Sequence, residues 1–302
     1  MKNRYELQFE IESACLLDCV HCSSACMRKV PKRAYSDKNI VEFLSEFDTP
    51  VHVIFTGGDP ILYDNLIELC TDVSRLNRNI SIGLYTSGNY KNMEPIANQY
   101  AAQLAACGIS ECYMSVYSFD PLVHDMWTTK PGSYNNMLVS ARNLKAAGID
   151  IKAHIVVNQQ NYLDLGETIR FCEDFGFSEA RLLKLAPTGN AKENWETIGI
   201  PLETQNTVIK QLMESKYKFN ISLTFAGYPH LHSCRPFKDA KKCQAGCNLL
   251  YITLLGEIFP CAATISDSKK FKIGDISQMG LVFDMIKENY NFDYRDNCLN
   301  AI

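Results

Sequence analysis

The 302-residue sequence predicts an α/β protein, a partial (β/α)6 TIM-like barrel with a small Cys-rich β-hairpin module after it. Strand-like and helix-like segments alternate six times, which calls for a parallel sheet clothed in helices. The strand runs are mostly apolar, as strands covered on both faces require. Six units are too few to close an eight-stranded barrel, so an open one is expected, with functional residues at the C-terminal ends of its strands. The alternation stops near residue 226, where the polar, Cys-rich stretch GYPHLHSCRPFKDAKKCQAGC begins. This divides the chain into a barrel domain at 1–226 and a second module at 227–302.

The elements follow in order. Residues 5–11 (YELQFEI) read as the first strand. The helix at 36–47 opens on Ser36, a residue whose hydroxyl can accept from an unpaired first-turn N–H. A strand at 51–55, a helix at 63–76 and a strand at 80–86 come next, then a helical run over 92–108 with Gly108 as its C-cap. Strands at 112–117 and 151–157 precede helical runs at 134–148 and 162–176 in the same strand-then-helix rhythm. Residues 180–186 form the sixth strand, 203–217 a helix, and 219–226 a last strand.

Apolar residues make up 46% and charged residues 21%, values that permit a large core. Thirty basic against 34 acidic residues leave a net charge of −4, so a nucleic-acid partner is not expected. No apolar run reaches the roughly 18 residues of a membrane span. The N-terminus MKNRYELQFEIESAC alternates instead of offering an apolar signal core, so a cytoplasmic location is expected. Thirteen cysteines are many for such a chain, and in a reducing compartment clustered thiols read as metal ligands or catalysts rather than disulfides. Cys70, Cys107, Cys112 and Cys172 are scattered on helix and strand patterns and read as small buried apolar side chains.

Cys15, Cys19 and Cys22 form a CxxxCxxC run directly after the first strand. Three thiolates on a four-iron cluster leave one iron open to a substrate or cofactor, whereas Cys26 as a fourth ligand would complete a closed zinc site. The other strand ends carry small polar residues: Gly57-Gly58-Asp59-Pro60 after the second, Ser87-Gly88-Asn89 after the third, Ser115 in the fourth and Asn158 after the fifth. Turns use the same residue types. Their shared position, at the end where a barrel opens, is what singles them out.

With these residues in place, the sequence resembles the radical S-adenosylmethionine (SAM) superfamily over residues 5–190. The resemblance implies an enzyme with a four-iron, four-sulfur cluster on Cys15, Cys19 and Cys22. SAM would chelate the open iron and be cleaved reductively to methionine and a 5′-deoxyadenosyl radical that abstracts a substrate hydrogen. An external donor of the flavodoxin or ferredoxin type would supply the electron. Gly57, Gly58 and Asp59 match the family's GGE motif, expected at the SAM amino group, although the Asp is one methylene shorter than the usual Glu. His21 takes the position that tends to lie near adenine, and Ser87 matches the polar strand-three end. Ser115 stands where the SAM ribose or carboxylate is expected, and Asn158 completes the cofactor-binding set. His124-Asp125, Thr128 and Gly132-Ser133-Tyr134 are similar to an HDxxT…GSF stretch of the peptide-maturing branch; packing at a helix start is the plainer role for His124.

Cys243 and Cys247 precede a second Cys-bearing pattern: a strand, a turn at Gly256 and a return strand ending in Cys261. A hairpin brings its ends together, so Cys247 and Cys261 are expected at one site, as ligands or as a zinc clip. The pattern resembles the C-terminal Twitch half of SPASM modules, which implies an auxiliary 4Fe–4S cluster and two clusters in all. Cys298 is the first candidate for its fourth ligand, Cys234 the second, and an open iron the third. The implied chemistry is oxidation or crosslinking of a peptide or a small natural product. With the first strand almost at residue 1, no N-terminal peptide-recognition domain is expected, so a peptide would be delivered by a separate protein. The competing chemistry is epimerisation, with Cys26, Cys112 or Cys234 as hydrogen-atom donor. A non-enzymatic zinc-binding interaction protein is the alternative from a different class.

Overall fold

The computed structural model describes residues 4–23, 32–76, 79–215, 218–228, 245–246, 248–265 and 268–278. Seven parallel neighbours form the barrel wall: β1 (Tyr5–Glu12), β2 (Val51–Gly57), β3 (Ile80–Thr86), β4 (Ile109–Ser115), β5 (Asp150–Val157), β6 (Glu179–Lys184) and β7 (Ser222–Ala226). Three short strands, β8 (Leu249–Ile252), β9 (Glu257–Phe259) and β10 (Gly274–Asp275), extend the same sheet. Its order is β10-β9-β8-β1-β2-β3-β4-β5-β6-β7. The expected hairpin is present, and β8 runs parallel to β1, with Gln8 opposite Tyr251 and Phe9 opposite Ile252.

The outer layer is α1 (Asp37–Ser45), α2 (Leu66–Ser74), α3 (Asn98–Ala106), α4 (Pro121–Thr128), α5 (Ser133–Ala146), α6 (Leu165–Phe175) and α7 (Leu202–Ser215). Ser36 caps α1 as expected, its hydroxyl accepting from the Asn39 N–H. Two spans differ from expectation. The run from 92 is not helical at its start: Asn89–Tyr90 pairs with Glu94–Pro95, and α3 begins only at Asn98, because Pro95 forces extended backbone before it. Helix α4 goes unsignalled by periodicity; it is short, opens on Asp120 and Pro121, and exposes Leu122 and Met126.

Each barrel strand is buried on two faces. In β1, Leu7, Phe9 and Ile11 pack into the helix-side core, where Phe9 meets Phe43 and Phe55 with ring centroids 5.9 and 6.4 Å apart. Burying each such side chain stabilises by about 1.5–3 kcal/mol. Cys70, Cys107, Cys112 and Cys172 lie in this core too, as expected. The other face carries Glu6, Gln8 and Glu10, all buried. Two sets of charges inside the barrel are matched internally. Glu111 accepts from Lys152 and lies 2.6 Å from His52 Nε2. Burial raises its pKa, but His52 and Lys152 outweigh burial and hold it down at about 2. Arg181 donates to the hydroxyls of Tyr85 (3.4 Å) and Tyr113 (3.3 Å) and lies 3.5 Å from Glu179.

Candidate active site

The Cys15–Cys22 loop leaves β1 at the barrel mouth and is clamped from two sides. The end of α4 supplies carbonyls: Trp127 accepts from the Val20 N–H at 3.0 Å and Thr128 from the Asp18 N–H at 3.2 Å. From the other side, Asn190 Nδ2 donates to the Cys19 carbonyl and the Asn190 N–H to the Cys22 carbonyl, both at 3.0 Å. Asn194 Nδ2 donates to the Val20 carbonyl at 3.0 Å. Gly189, at φ +51°, lies so close that a Cβ there would strike the Cys22 and Ser23 carbonyl oxygens. Tyr117, Trp127, Leu185, Ala191 and Ile198 form an apolar shell around the loop with Leu17 and Cys19. Residues 189–194 were not singled out from sequence; the turn signal Pro187-Thr188-Gly189-Asn190 was their only mark.

His21 points into that shell, 4.7 Å from the Tyr117 ring and 5.2 Å from the Trp127 ring. Burial, helped by nearby His124, lowers its pKa to about 4, so it is neutral at pH 7. The HDxxT…GSY stretch explains how α4 is held. Asp125 accepts from the Gly132 N–H (2.6 Å), the Tyr134 N–H (2.8 Å) and the Ser133 hydroxyl (2.9 Å), capping α5. Thr128 and Ser133 hydroxyls meet at 2.6 Å. This weld fixes the very carbonyls that clamp the Cys loop. His124 packs between Tyr117 and Tyr134 with burial pushing its pKa down to about 4, the plainer of its two roles.

Asp59 stands 1% exposed at the end of β2. Its Oδ2 accepts from the Ser87 N–H (2.9 Å) and hydroxyl (2.7 Å), tying the β2 and β3 ends together. Burial raises its pKa to about 6 despite these bonds. A Cβ on Gly57 or Gly58 would collide with the backbone of Glu12 or of Ser13 and Ala14. The glycines therefore let β2 press against the stem of the Cys loop, a reason that holds whatever binds beyond them.

A family model described as the radical SAM superfamily matches residues 10–172. The chain belongs to the radical SAM superfamily. Among its relatives is the AdoMet-dependent heme synthase of Oleidesulfovibrio alaskensis, 22% identical over 275 residues, covering 84% of this chain and 69% of the relative. The mycofactocin maturase MftC of Mycolicibacterium smegmatis is 26% identical over 277 residues, covering 91% and 68%. Among solved structures, SuiB of Streptococcus suis bound to S-adenosylmethionine superposes with a TM-score of 0.72 at 17% identity, covering 96% of this chain and 68% of that one. AdoMet-bound anSMEcpe gives 0.71 at 16%, covering 94% and 82%. At these identities the two structures establish the fold, a radical SAM partial barrel.

Membership makes the protein an enzyme, which overturns the non-enzymatic zinc alternative, and implies SAM and a 4Fe–4S cluster. The residues present suit that cluster. Cys15, Cys19 and Cys22 sit on one clamped loop beside an apolar shell, and none is tied up in a disulfide. Among the described residues no three Cys, His, Asp or Glu side chains converge tightly enough for one metal ion. A cubane asks for less, because each thiolate binds a different iron.

Two further strand-end residues are differently engaged. Ser115 ends β4, half-buried, and hydrogen-bonds the Tyr117 hydroxyl. Asn158 is 0% exposed and spent on its own turn: Nδ2 donates to the Val156 carbonyl, and Oδ1 accepts from the N–H groups of Gln160 and Asn161. The thiol of Cys112 faces the helix-side core, since its neighbour Tyr113 faces Arg181 across the lumen; Cys112 is thus no hydrogen-atom donor to a lumen substrate.

In the hairpin, the Gly246 N–H donates to the Pro260 carbonyl at 3.3 Å, so its two ends do meet. Cys261 is half-buried beside Phe259 and Tyr251. Cys26, Cys234, Cys243, Cys247 and Cys298 lie outside the described residues. Glu10 fastens the hairpin to the barrel, accepting from the Tyr251 hydroxyl at 2.6 Å and the Leu254 N–H at 3.0 Å. No described helix is long and apolar enough to cross a membrane.

Proposed function

We propose that the protein is a cytoplasmic radical SAM maturase that oxidises or crosslinks a peptide, with a cluster on Cys15, Cys19 and Cys22 and an auxiliary 4Fe–4S cluster on Cys243, Cys247, Cys261 and Cys298. When bound, these groups supply reductive SAM cleavage to a hydrogen-abstracting 5′-deoxyadenosyl radical, with an electron from a flavodoxin or ferredoxin, and an acceptor for the substrate's electron. The observation that carries the reading is the Cys loop, held by three separate carbonyl and amide clamps at the open end of the barrel. Asp59, oriented by Ser87 and ionised above about pH 6, accepts from the SAM ammonium. His21, neutral between Tyr117 and Trp127, offers a flat wall to adenine. Ser115 faces the ribose side, Gly57 and Gly58 bring Asp59 close to the Cys loop, and Asn158 acts by shaping the turn after β5. The apolar shell keeps water from the radical. The peptide substrate is supported by the maturase relatives, and by SuiB, also solved with precursor peptide SuiA.

The barrel at 1–226 would carry SAM cleavage and the module at 227–302 the auxiliary cluster. Anaerobic reconstitution tests both, with about eight irons per chain expected for two cubanes. Cys298→Ala should lose only the auxiliary irons and leave SAM cleavage uncoupled from product, while Cys234→Ala keeps all iron. The opposite pattern moves the fourth ligand to Cys234, and full iron in both variants means an open iron. Zinc in place of iron in the wild type would refute the whole reading.

A further inference from the structure

A largely apolar cavity of about 450 Å³ opens at the end of β6, with Leu185, Trp195, Ile200, Leu202 and Gln205 in its walls. No residue given a cofactor role above lines it. Yet it adjoins the reaction site, because Leu185 and Trp195 also pack in the apolar cluster that holds Cys15, Cys19 and Cys22. A substrate group seated here would rest against the same apolar cluster that packs on the Cys loop.

One buried polar group interrupts the apolar walls. Gln205, in the first turn of α7, is 2% exposed. Its Nε2 donates to the Ile200 carbonyl at 3.1 Å. That bond sets the amide orientation, since the flipped amide would oppose two acceptors. Its Oε1 is buried and meets no donor among the described residues. Folded proteins seldom leave a buried acceptor without a donor, because its lost hydration goes uncompensated. The terminal torsion of Gln is soft, so a slight rotation presents Oε1 to a donor entering the cavity.

The walls define the body of the ligand and Oε1 defines its tip. Trp195, Leu185, Ile200 and Leu202 suit an aromatic ring. Lys184 also borders the cavity, but an anionic ligand would set its charge against Oε1. We infer that this cavity is a substrate subsite for a neutral aromatic side chain with one hydrogen-bond donor on its rim, a phenol, and that Gln205 Oε1 accepts from that donor. The inference rests on the peptide-maturase reading and deepens it, naming a residue type the substrate presents.

The test uses full-length, anaerobically reconstituted enzyme with SAM, titrated with N-acetyltyrosinamide and N-acetylphenylalaninamide. Binding is followed by saturation-transfer NMR and by tryptophan emission. The phenol should bind roughly three- to tenfold more tightly, the range a single neutral hydrogen bond gives. Gln205→Leu should erase that preference and keep the affinity for the phenyl probe. Leu202→Trp, at a position 37% exposed on the rim of the cavity, fills it and should displace both probes even if the Gln205 variant fails to fold. Equal affinities in the wild type, a preference that survives Gln205→Leu, or probes that still bind the Leu202 variant would each overturn the subsite. Reductive SAM cleavage by the unaltered enzyme, measured without probe, reports separately on the proposed activity. Its absence would overturn that reading and leave the probe result standing.

Discussion

Where the barrel strands begin, two buried charges have an opposite charge beside them: Glu111 has Lys152, with the His52 ring alongside, and Arg181 has Glu179. Where they end, Asp59 receives its hydrogen bonds from neutral groups, the Ser87 N–H and hydroxyl among them, and burial lifts its pKa to about 6. The lower end is electrostatically complete without a ligand. The upper end holds a carboxylate whose ionised form is poorly compensated until a cation arrives, as an ammonium would. The same residue types thus serve stability at one end and recognition at the other, in keeping with where barrel enzymes place their sites.

The largest expected effect breaks the upper end. Replacing Cys15, Cys19 and Cys22 together by Ala should abolish formation of 5′-deoxyadenosine and roughly halve the iron, measured against reconstituted wild type. Retained SAM cleavage would remove the Cys loop from the mechanism. Lys152→Met breaks the lower end instead. It strands Glu111 in the lumen with only His52 beside it, and should cost about 3 kcal/mol in urea unfolding, with SAM cleavage by the folded fraction preserved. Unchanged stability would mean that the lumen charges are idle.

Asp59→Asn sharpens the comparison. Losing one charge-assisted hydrogen bond, about 1.5–3 kcal/mol, should weaken SAM binding at least several-fold at pH 7.5. In the wild type, SAM affinity should rise between pH 5 and 7 around a midpoint near 6, and the Asn variant should show no such rise. The same raised pKa means that the folded state holds this proton more tightly than the unfolded chain. Stability therefore falls as pH rises from about 4 through 6.

The smallest effect is the reverse titration of His21 and His124. Both are depressed from 6.5 to about 4 by burial, so their contribution is full above pH 6.5 and lost as pH falls towards 4. Acid unfolding of a His124→Asn variant should be measurably less steep across that window. Equal steepness would show that His124 takes up its proton in the fold as readily as in the unfolded chain.

Much of the upper end was legible because it is local in sequence. CxxxCxxC follows a strand directly, and GGDP follows the next; periodicity placed the strands to within a few residues. Helix α4 was not legible, since eight residues that expose Leu122 and Met126 carry no amphipathic stripe. Nor were the duties of Gly57 and Gly58. Their motif pointed to the SAM amino group, while the fold uses both glycines to admit the Glu12–Ala14 backbone.

The sequence by itself determined how many strand–helix units the chain makes and which strand ends carry thiols and small polar groups, because apolar periodicity and turn chemistry act over a few residues. Only the tertiary structure decided what holds those groups in place. Asn190 grips the Cys19 carbonyl across 171 residues, and Tyr251 reaches Glu10 across 241. Such contacts leave no mark in local patterning. They exist because curling the parallel sheet brings distant strand ends to one mouth, where each buried polar group must find whichever partner the fold delivers.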